Sequence, residues 1–588
     1  MIKDDISALV SQAISAALAA GELPELATPE VTVEHPSKPE HGDYAVSVAM
    51  KMARTARMSP LKIAEIIKNR LAPVDYIAAV EVAPPGFINF RLSEDWLQSQ
   101  IKGVLAQGDT YGNVEMGNNL RVQVEFVSAN PTGPITIGAT RNACLGDTLA
   151  NVLLAAGFQV EREYYVNDAG NQIRAWNESM WIYYRDELGL PVTDDKGEPL
   201  AMKLDEETGQ PTEAREFKDV RYNARDYARE LIEREGKRFL ELPEEQAKAL
   251  VGKEGVKIVL EHNEEDLAQL GVLFDVWFHE QALYDTGQID KAMQLLRDGG
   301  HVSEREGAVW FVSSALGQDK DNVLIRTNGI PTYFVSDIAY HFNKFKVRGF
   351  DKVVNLWAAD HQGHIPRMKA VMQAIGVNPD DLIILVYQLV SVNGLRMSKR
   401  NKNFIPLREV MDITGPDPIR YNMVARSPEA SLDFDVNLAI AQNDTNPVYY
   451  VQYSHARTAS IFKKAEEAGI TPQLDSADLS LLGHPSELTL IRHLLLFPET
   501  IQDVAKNCID NGVAELQRLP FYTLELARVF NSFYRDCYVL DQANLPVSQA
   551  RLALTQATRN VLARALTLMG MSAPERMDRA EQLAVPAE

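Results

Sequence analysis

A chain of 588 residues with 46% hydrophobic and 24% charged residues has an ordinary globular composition, and at roughly 100–200 residues per domain it is long enough for three or four. A formal net charge of −22 disfavours long-range attraction to nucleic acid, so any RNA partner must be met by local basic patches. Cys144, Cys508 and Cys537 are too far apart in sequence to suggest a disulfide framework or a zinc site, and free buried thiols in a reducing compartment are expected.

The N-terminus, "MIKDDISALVSQAISAALAAGELPEL", carries acidic residues where a signal peptide needs basic ones. Ile6, Leu9, Val10 and Ile14 share one helical face, and Asp5 is placed to cap that helix. No run is long enough to span a bilayer, so a cytoplasmic protein is expected. Residues 1–112 read as an α+β unit. After the first helix come "VTVEHP", the turn "EHGDYAV", the helix "SPLKIAEIIKNRLA" and two strands around Pro84-Pro85-Gly86.

Residues 113–440 form the second unit. "LRVQVEFVS" is a strand, "RNACLGDTLANVLLAAG" a helix with Leu145, Leu149, Val152 and Leu153 on its inner stripe, and "FQVEREYYVND" the next strand. Such a β-α-β order implies a parallel sheet with its ligand site at the carboxyl ends of the strands. Residues 186–260 read as a helical insertion. The α/β pattern then resumes with "VWFVSS", "TYFVSDIAYH", "DKVVNLWAADHQGH" and "LIILVYQLVSV". In the third unit, 441–588, strand signals fade into long amphipathic segments, so an all-helical domain with a loose tail is expected.

Three stretches carry chemistry. In "PTGPITIGATRNACLGD", Gly133 and Gly138 have P-loop spacing, but Ala139-Thr140 stand where Lys-Ser/Thr should be. Gly138 at a helix start would still let a flat base approach the backbone, and the helix N-terminus favours phosphate. In "NGLRMSKRNKNFIPL", Arg396, Lys399, Arg400 and Lys402 surround Met397-Ser398 after a strand. Such cations suit a polyphosphate in transfer, although a solvated basic loop is the commoner fate of such runs. In "WAADHQGHIPR", His361, Gln362, Gly363 and His364 end another strand. No third ligand is evident nearby, so a nucleotide-contacting turn is favoured over a metal site.

The runs "VEFVSANPTGP", "REYYVNDAGNQI", "TYFVSDIAYH", "DHQGHIPR", "RMSKR", "LDFD", "NPVYYVQYSHAR" and "APERM" occur in the order seen in bacterial arginyl-tRNA synthetases. With "HGDYAVSVAMKMA" and "PGFINF" near the start, the resemblance covers nearly the whole chain. It implies a Rossmann-type class I catalytic domain at 113–440, an N-terminal tRNA-elbow domain at 1–112 and a helical anticodon-binding domain at 441–588. It also implies that L-arginine is activated with ATP and magnesium, without a dedicated metal site, and transferred to the 3′ end of tRNA(Arg) by a monomer. By resemblance Glu125, Ser128, Asn130, Tyr333, Asp337 and Gln362 hold arginine. Gly138, Ala139, Arg141, His361, Gly363, His364 and Met397 meet ATP. Thr136, Gly138, Asn142, Arg396, Ser398, Lys399 and Arg400 serve catalysis.

One element departs from the family. Where most relatives read close to "HVGHGRGA", this chain has Thr136-Ile137-Gly138-Ala139, and both histidines are absent. Losing one such donor typically costs on the order of 2.7–4 kcal/mol of transition-state stabilisation. Thr136, Thr140 and Asn142 are candidate replacements at the same helix mouth, with His361 and His364 as further ones. The second signature, Arg396-Met397-Ser398-Lys399, differs from "KMSK" only in its first cation. A paralogue serving a non-tRNA acceptor and a catalytically silent RNA-binding protein are the rival readings. In the helical domain Arg457, Lys463, Lys464, Arg551 and Arg559 offer charge, and Tyr449, Tyr450 and Tyr453 offer either stacking faces or core.

Overall fold

Helix Ile2–Ala19 buries Ile6, Leu9, Val10, Ala13, Ile14 and Ala17 along one face, as the spacing requires. It begins at Ile2 with Met1 as its cap, so Asp5 sits in the first turn rather than at the cap. The computed structural model describes residues 1–194, 197–204, 210–211, 215–393 and 405–577. The N-terminal helices pack on an antiparallel sheet ordered Val33–Glu34, Tyr44–Val46, Phe87–Leu92, Ile77–Ala83. Helix Glu94–Gln107 then packs against the C-terminal helices Pro485–Asn511 and Leu545–Leu568. The Tyr44 hydroxyl adds a bond to Glu499 at 2.6 Å.

Five parallel strands form the central sheet: β1 (Arg121–Glu125), β2 (Gln159–Val166), β3 (Val276–His279), β4 (Lys352–Ala358) and β5 (Leu382–Tyr387). Their order is β5-β4-β1-β2-β3. Chain order therefore reverses between β1 and β4. In an open parallel sheet that switch point opens a crevice at the carboxyl ends, where ligands bind. Helix α1 (Ile137–Ala155) follows β1 and buries Leu145, Leu149, Val152 and Leu153. Gly146 permits its close approach to the strand, since a Cβ there would stand 2.2 Å from the Phe126 side chain. Gly157, at φ +85°, ends the helix in the left-handed conformation that glycine adopts freely.

Three sequence expectations change. "VWFVSS" does not join the parallel sheet. Its strand, Ala308–Phe311, lies in a separate antiparallel sheet between Val302–Arg305 and Asn322–Ile325. The two-residue turn Glu306-Gly307 has φ +55° and +73°, the backbone that closes tight hairpins, and this local pairing captures the strand. "TYFVSDIAYH" is a helix, α2 (Tyr333–Phe342), because Phe334, Val335, Ile338 and Ala339 recur at helical spacing; Asp337 lies inside it and caps nothing. β3, from "DVWFHE", was not read as a strand and completes the sheet.

Within 186–260, helix Arg225–Glu235 and most of Glu244–Gln269 pack with Gly170–Glu187 around Trp176, Met180, Tyr184 and Phe239. The C-terminal part carries Pro447–Glu467, Pro485–Asn511, Arg518–Asp536 and Leu545–Leu568, and no strand among its described residues. Arg420 is fully buried between the two parts. It pairs with Asp147 of α1 and donates to the carbonyls of Leu270 and Met569. Breaking such a buried pair from one side costs roughly 3–5 kcal/mol. No described helix is long and apolar enough to cross a membrane.

Candidate active site

The crevice starts where β1 ends. Val127 and Ser128 both take left-handed backbone, at φ +65° and +43°. Non-glycine residues held there cost of order 1–3 kcal/mol each, and such strain gathers at functional sites. The bend brings the Ser128 hydroxyl back to donate to Glu125 Oε1 at 3.1 Å, while it accepts from the Tyr165 amide at 3.1 Å. The other Glu125 oxygen pairs with the wholly buried Lys344 at 2.5 Å. Asn130 is exposed just beyond.

Thr136 caps α1 at the crevice mouth, and its hydroxyl makes no capping bond. A Cβ on Gly138 would meet only Thr136 Oγ1, at 3.8 Å, so the space in front of it is open. Ala139 is half-buried against the core. The other proposed mouth donors are placed differently. Thr140 is buried and its hydroxyl donates back to the Thr136 carbonyl at 3.0 Å. Asn142 is buried and donates to the Leu356 carbonyl at 3.1 Å. Arg141, expected at ATP, is engaged by the protein itself. Its buried guanidinium donates to the carbonyls of Gln388, Ala430 and Ser427 at 2.7–2.9 Å, tying α1 to the chain around β5. From Thr140 through Ala150 α1 is buried on every side, so first-turn positions such as Thr136 and Gly138 are the ones that stay accessible at the mouth. Of the candidates on α1, Thr136 is the one left at the mouth, and His361 and His364 remain candidates from across the switch point.

Arg396, Met397, Ser398, Lys399 and Arg400 lie outside the described residues. The chain resumes against the α1 mouth: the Leu407 amide donates to the Ile135 carbonyl at 2.8 Å and the Ile137 amide to the Ile405 carbonyl at 2.9 Å. Across the switch point, the turn Ala359–His364 exposes His361, Gln362, Gly363 and His364. Arg367 donates to His364 Nδ1 at 2.8 Å. Partial desolvation, then Arg367 and His361, hold His364 below the usual imidazole range. Among the described residues, no group of three or more His, Cys, Asp or Glu is arranged to hold a metal.

Acid gathers on the far side. On α2, Tyr333 is 51% exposed and Asp337 is half-buried. Burial pushes the Asp337 carboxyl up to about 7; Glu280 and Glu125 push the same way, against Arg367 and Lys344. Glu280, just after β3, is buried and also raised, first by burial and then by Asp168, with Ser336 and Tyr165 opposing. A cleft of about 100 Å³ opens between Gly170, Glu280, Arg326, Tyr333 and Ser336. Glu280 lines this cleft together with Arg174 and Arg326, and Glu280 and Glu125 both act on the Asp337 carboxyl. Sequence reading missed Glu280 and Lys344. Glu280 follows a strand that was not recognised. Lys344 follows Tyr340 at i,i+4, so its place on a buried face was available from the helical phase.

Parallel sheet, switch-point crevice and helical C-terminal part together define a class I aminoacyl-tRNA synthetase. The family descriptions agree: "Arginyl tRNA synthetase N terminal domain" matches residues 4–92, "tRNA synthetases class I (R), catalytic domain" residues 100–415, and "DALR anticodon binding domain" residues 451–577. An arginine–tRNA ligase of Dehalococcoides mccartyi is 43% identical over 98% of this chain and 99% of its own length. That of Carboxydothermus hydrogenoformans is 42% identical over 93% and 94%. The solved arginyl-tRNA synthetase of Thermus thermophilus shares the fold, with a TM-score of 0.74 at 24% identity over 98% of this chain and 100% of that one. The chain belongs to the arginyl-tRNA synthetase family.

Proposed function

We propose that the crevice binds L-arginine with its guanidinium on Asp337, Glu280 and Tyr333, and with Glu125, Ser128, Asn130 and Gln362 completing the amino-acid site. The protein charges tRNA(Arg) with arginine, the activity of its family. The observation that carries the site assignment is the half-buried Asp337 of α2, whose carboxyl lies near enough to Glu280 and Glu125 for both to raise it. A guanidinium would relieve that repulsion through forked, charge-assisted bonds.

ATP lies along the α1 mouth, its base over Gly138 and beside Ala139, its phosphates between Thr136 and the His361–Gly363–His364 turn. An oxygen of the arginine carboxylate attacks the α-phosphorus, pyrophosphate leaves, and arginyl-adenylate forms. Arg396, Lys399 and Arg400, with Ser398 beside them in catalysis and Met397 at ATP, neutralise charge on the leaving phosphates. The terminal ribose hydroxyl of tRNA(Arg) then attacks the arginyl carbonyl and AMP leaves. Magnesium, bound with the ATP phosphates, supplies further positive charge. Residues 1–112 meet the tRNA elbow and 441–588 the anticodon. Tyr449 and Tyr453, half-exposed and stacked 5.8 Å apart, are the available faces there, whereas Tyr450 packs against the core. The protein acts as a cytoplasmic monomer.

Arginine-dependent pyrophosphate exchange and tRNA charging test the reading. Arginine is expected to be charged, and lysine and citrulline rejected. Equal charging with citrulline, which has no cationic end, would contradict the assignment of the carboxylates.

A further inference from the structure

Lys344 lies one turn beyond α2, in the π-helical turn Asn343–Val347, and is wholly buried. Lysine is almost never fully buried unless paired, and π turns are frequent where a functional side chain is re-aimed. The ammonium donates to Glu125 Oε2 at 2.5 Å and to Asn355 Oδ1 at 3.0 Å, and stands 4.1 Å from the centre of the Tyr340 ring. Glu163, Arg348 and Asp337 are the other charges near it. Glu163 is already engaged by Gln123, Tyr340 and Arg348, which leaves Glu125 as the partner of Lys344.

Beyond Lys344 the donor and acceptor roles are forced. Asn355 Oδ1 accepts from the ammonium, so its Nδ2 is the donor to His341 Nε2 at 2.9 Å. His341 must then carry its proton on Nδ1, which donates to the Asp337 backbone carbonyl at 2.8 Å. Burial, then Lys344, pull the His341 ring down to about 3, so it stays neutral. Each bond in the series Glu125, Lys344, Asn355, His341, Asp337 has one possible direction. The series joins the end of β1 to the turn of α2 that carries Asp337.

Resting on the reading of Glu125 and Asp337 as arginine ligands, we infer that Lys344 is a positioning residue: it holds the Glu125 carboxylate in the orientation that receives arginine and keeps it in register with Asp337. Lys344 faces neither the nucleotide nor the reacting carboxylate. Its loss should therefore weaken arginine binding and spare ATP binding.

Pyrophosphate exchange with tRNA(Arg) present, on the parent, Glu125→Gln, Lys344→Met and the double variant, tests this. Glu125→Gln and Lys344→Met should each raise the arginine KM by about tenfold or more, with the ATP KM within about twofold. The double variant should match Glu125→Gln within about threefold, because Lys344 acts through Glu125. A merely structural lysine would add its effect to that of Glu125→Gln, and multiplied effects in the double variant would overturn the inference. So would an unchanged arginine KM in Lys344→Met beside an impaired Glu125→Gln. An unchanged arginine KM in Glu125→Gln would instead remove Glu125 from the arginine site, and the inference with it. If Lys344→Met does not fold, Glu125→Gln against the double variant decides alone, since removing both charges leaves no lone buried ion.

Discussion

The two ends of the crevice are built on opposite plans. At the end proposed for arginine the carboxyls are placed in advance, Asp337 and Glu280 raised by burial and Glu125 held by Lys344 and Ser128. At the nucleotide end the described groups are few and open: Thr136 without a capping bond, Gly138 with free space before it, and an exposed His361–His364 turn. A buried carboxylate cluster discriminates between ground-state ligands before any reaction. Groups that act on leaving phosphates matter only as charge develops there. Changes at the first end should therefore appear in arginine affinity, and changes at the second in rate.

The largest effect expected is that of Asp337→Asn. Truncating one partner of a buried charge pair costs roughly 2–5 kcal/mol, so kcat/KM for arginine should fall by about 30-fold to a few thousand-fold with little change in the ATP KM. An ATP KM that rises equally would erase the distinction between the ends. Next, Lys399→Ala should slow activation by at least about tenfold while arginine affinity holds. An unslowed variant would mark the loop as a solvated face.

Arg141→Met sharpens the boundary of the nucleotide end. It strips three part-buried carbonyls of their donor, and leaving such a group unsatisfied costs at most about 1–3 kcal/mol. Calorimetry should show a lower melting temperature and kinetics an ATP KM within about twofold of the parent. A tenfold rise in ATP KM with unchanged melting would return Arg141 to the ATP site. The smallest effect concerns the altered signature. Thr136→Ala should be a few-fold slower than the parent. Thr136→His/Ala139→His should be no faster, because two imidazoles overpack a mouth that Gly138 keeps open, at about 1–3 kcal/mol. A hundredfold gain in the double variant would reveal a decayed site instead.

How far the sequence led differs between the same two ends. The β1–α1–β2 unit was legible because a period of two gives way to a period near 3.6 within one stretch, and Gly157 closes it. Thr136, Gly138 and the His361 cluster were legible as residues beside a turn. What stayed hidden depended on direction rather than on type. Arg141 and Asn142 belong to the signature by spacing, yet α1 is buried all round from Thr140 through Ala150 and both donate to backbone carbonyls. Glu280 was hidden because β3 is four residues long and hydrophobic patterning that short does not separate strand from helix. Lys344 was hidden because a charged residue in sequence reads as solvent-facing. Only the fold shows the carboxylate that lets it stay inside.

The central claim is that Asp337 stands in the crevice as a raised carboxyl and binds arginine only when ionised. The direct measurement is the pH dependence of kcat/KM for arginine in the parent and in Asp337→Asn, over about pH 6–8.5. With the carboxyl at about 7, the protonated form predominates below that pH and cannot pair with the guanidinium. Activity should therefore be full on the alkaline side and fall toward a tenfold loss per unit as pH drops below about 7, and Asp337→Asn should lack that limb. A parent profile that is flat across this range, or an acid limb that survives unchanged in Asp337→Asn, would contradict the account.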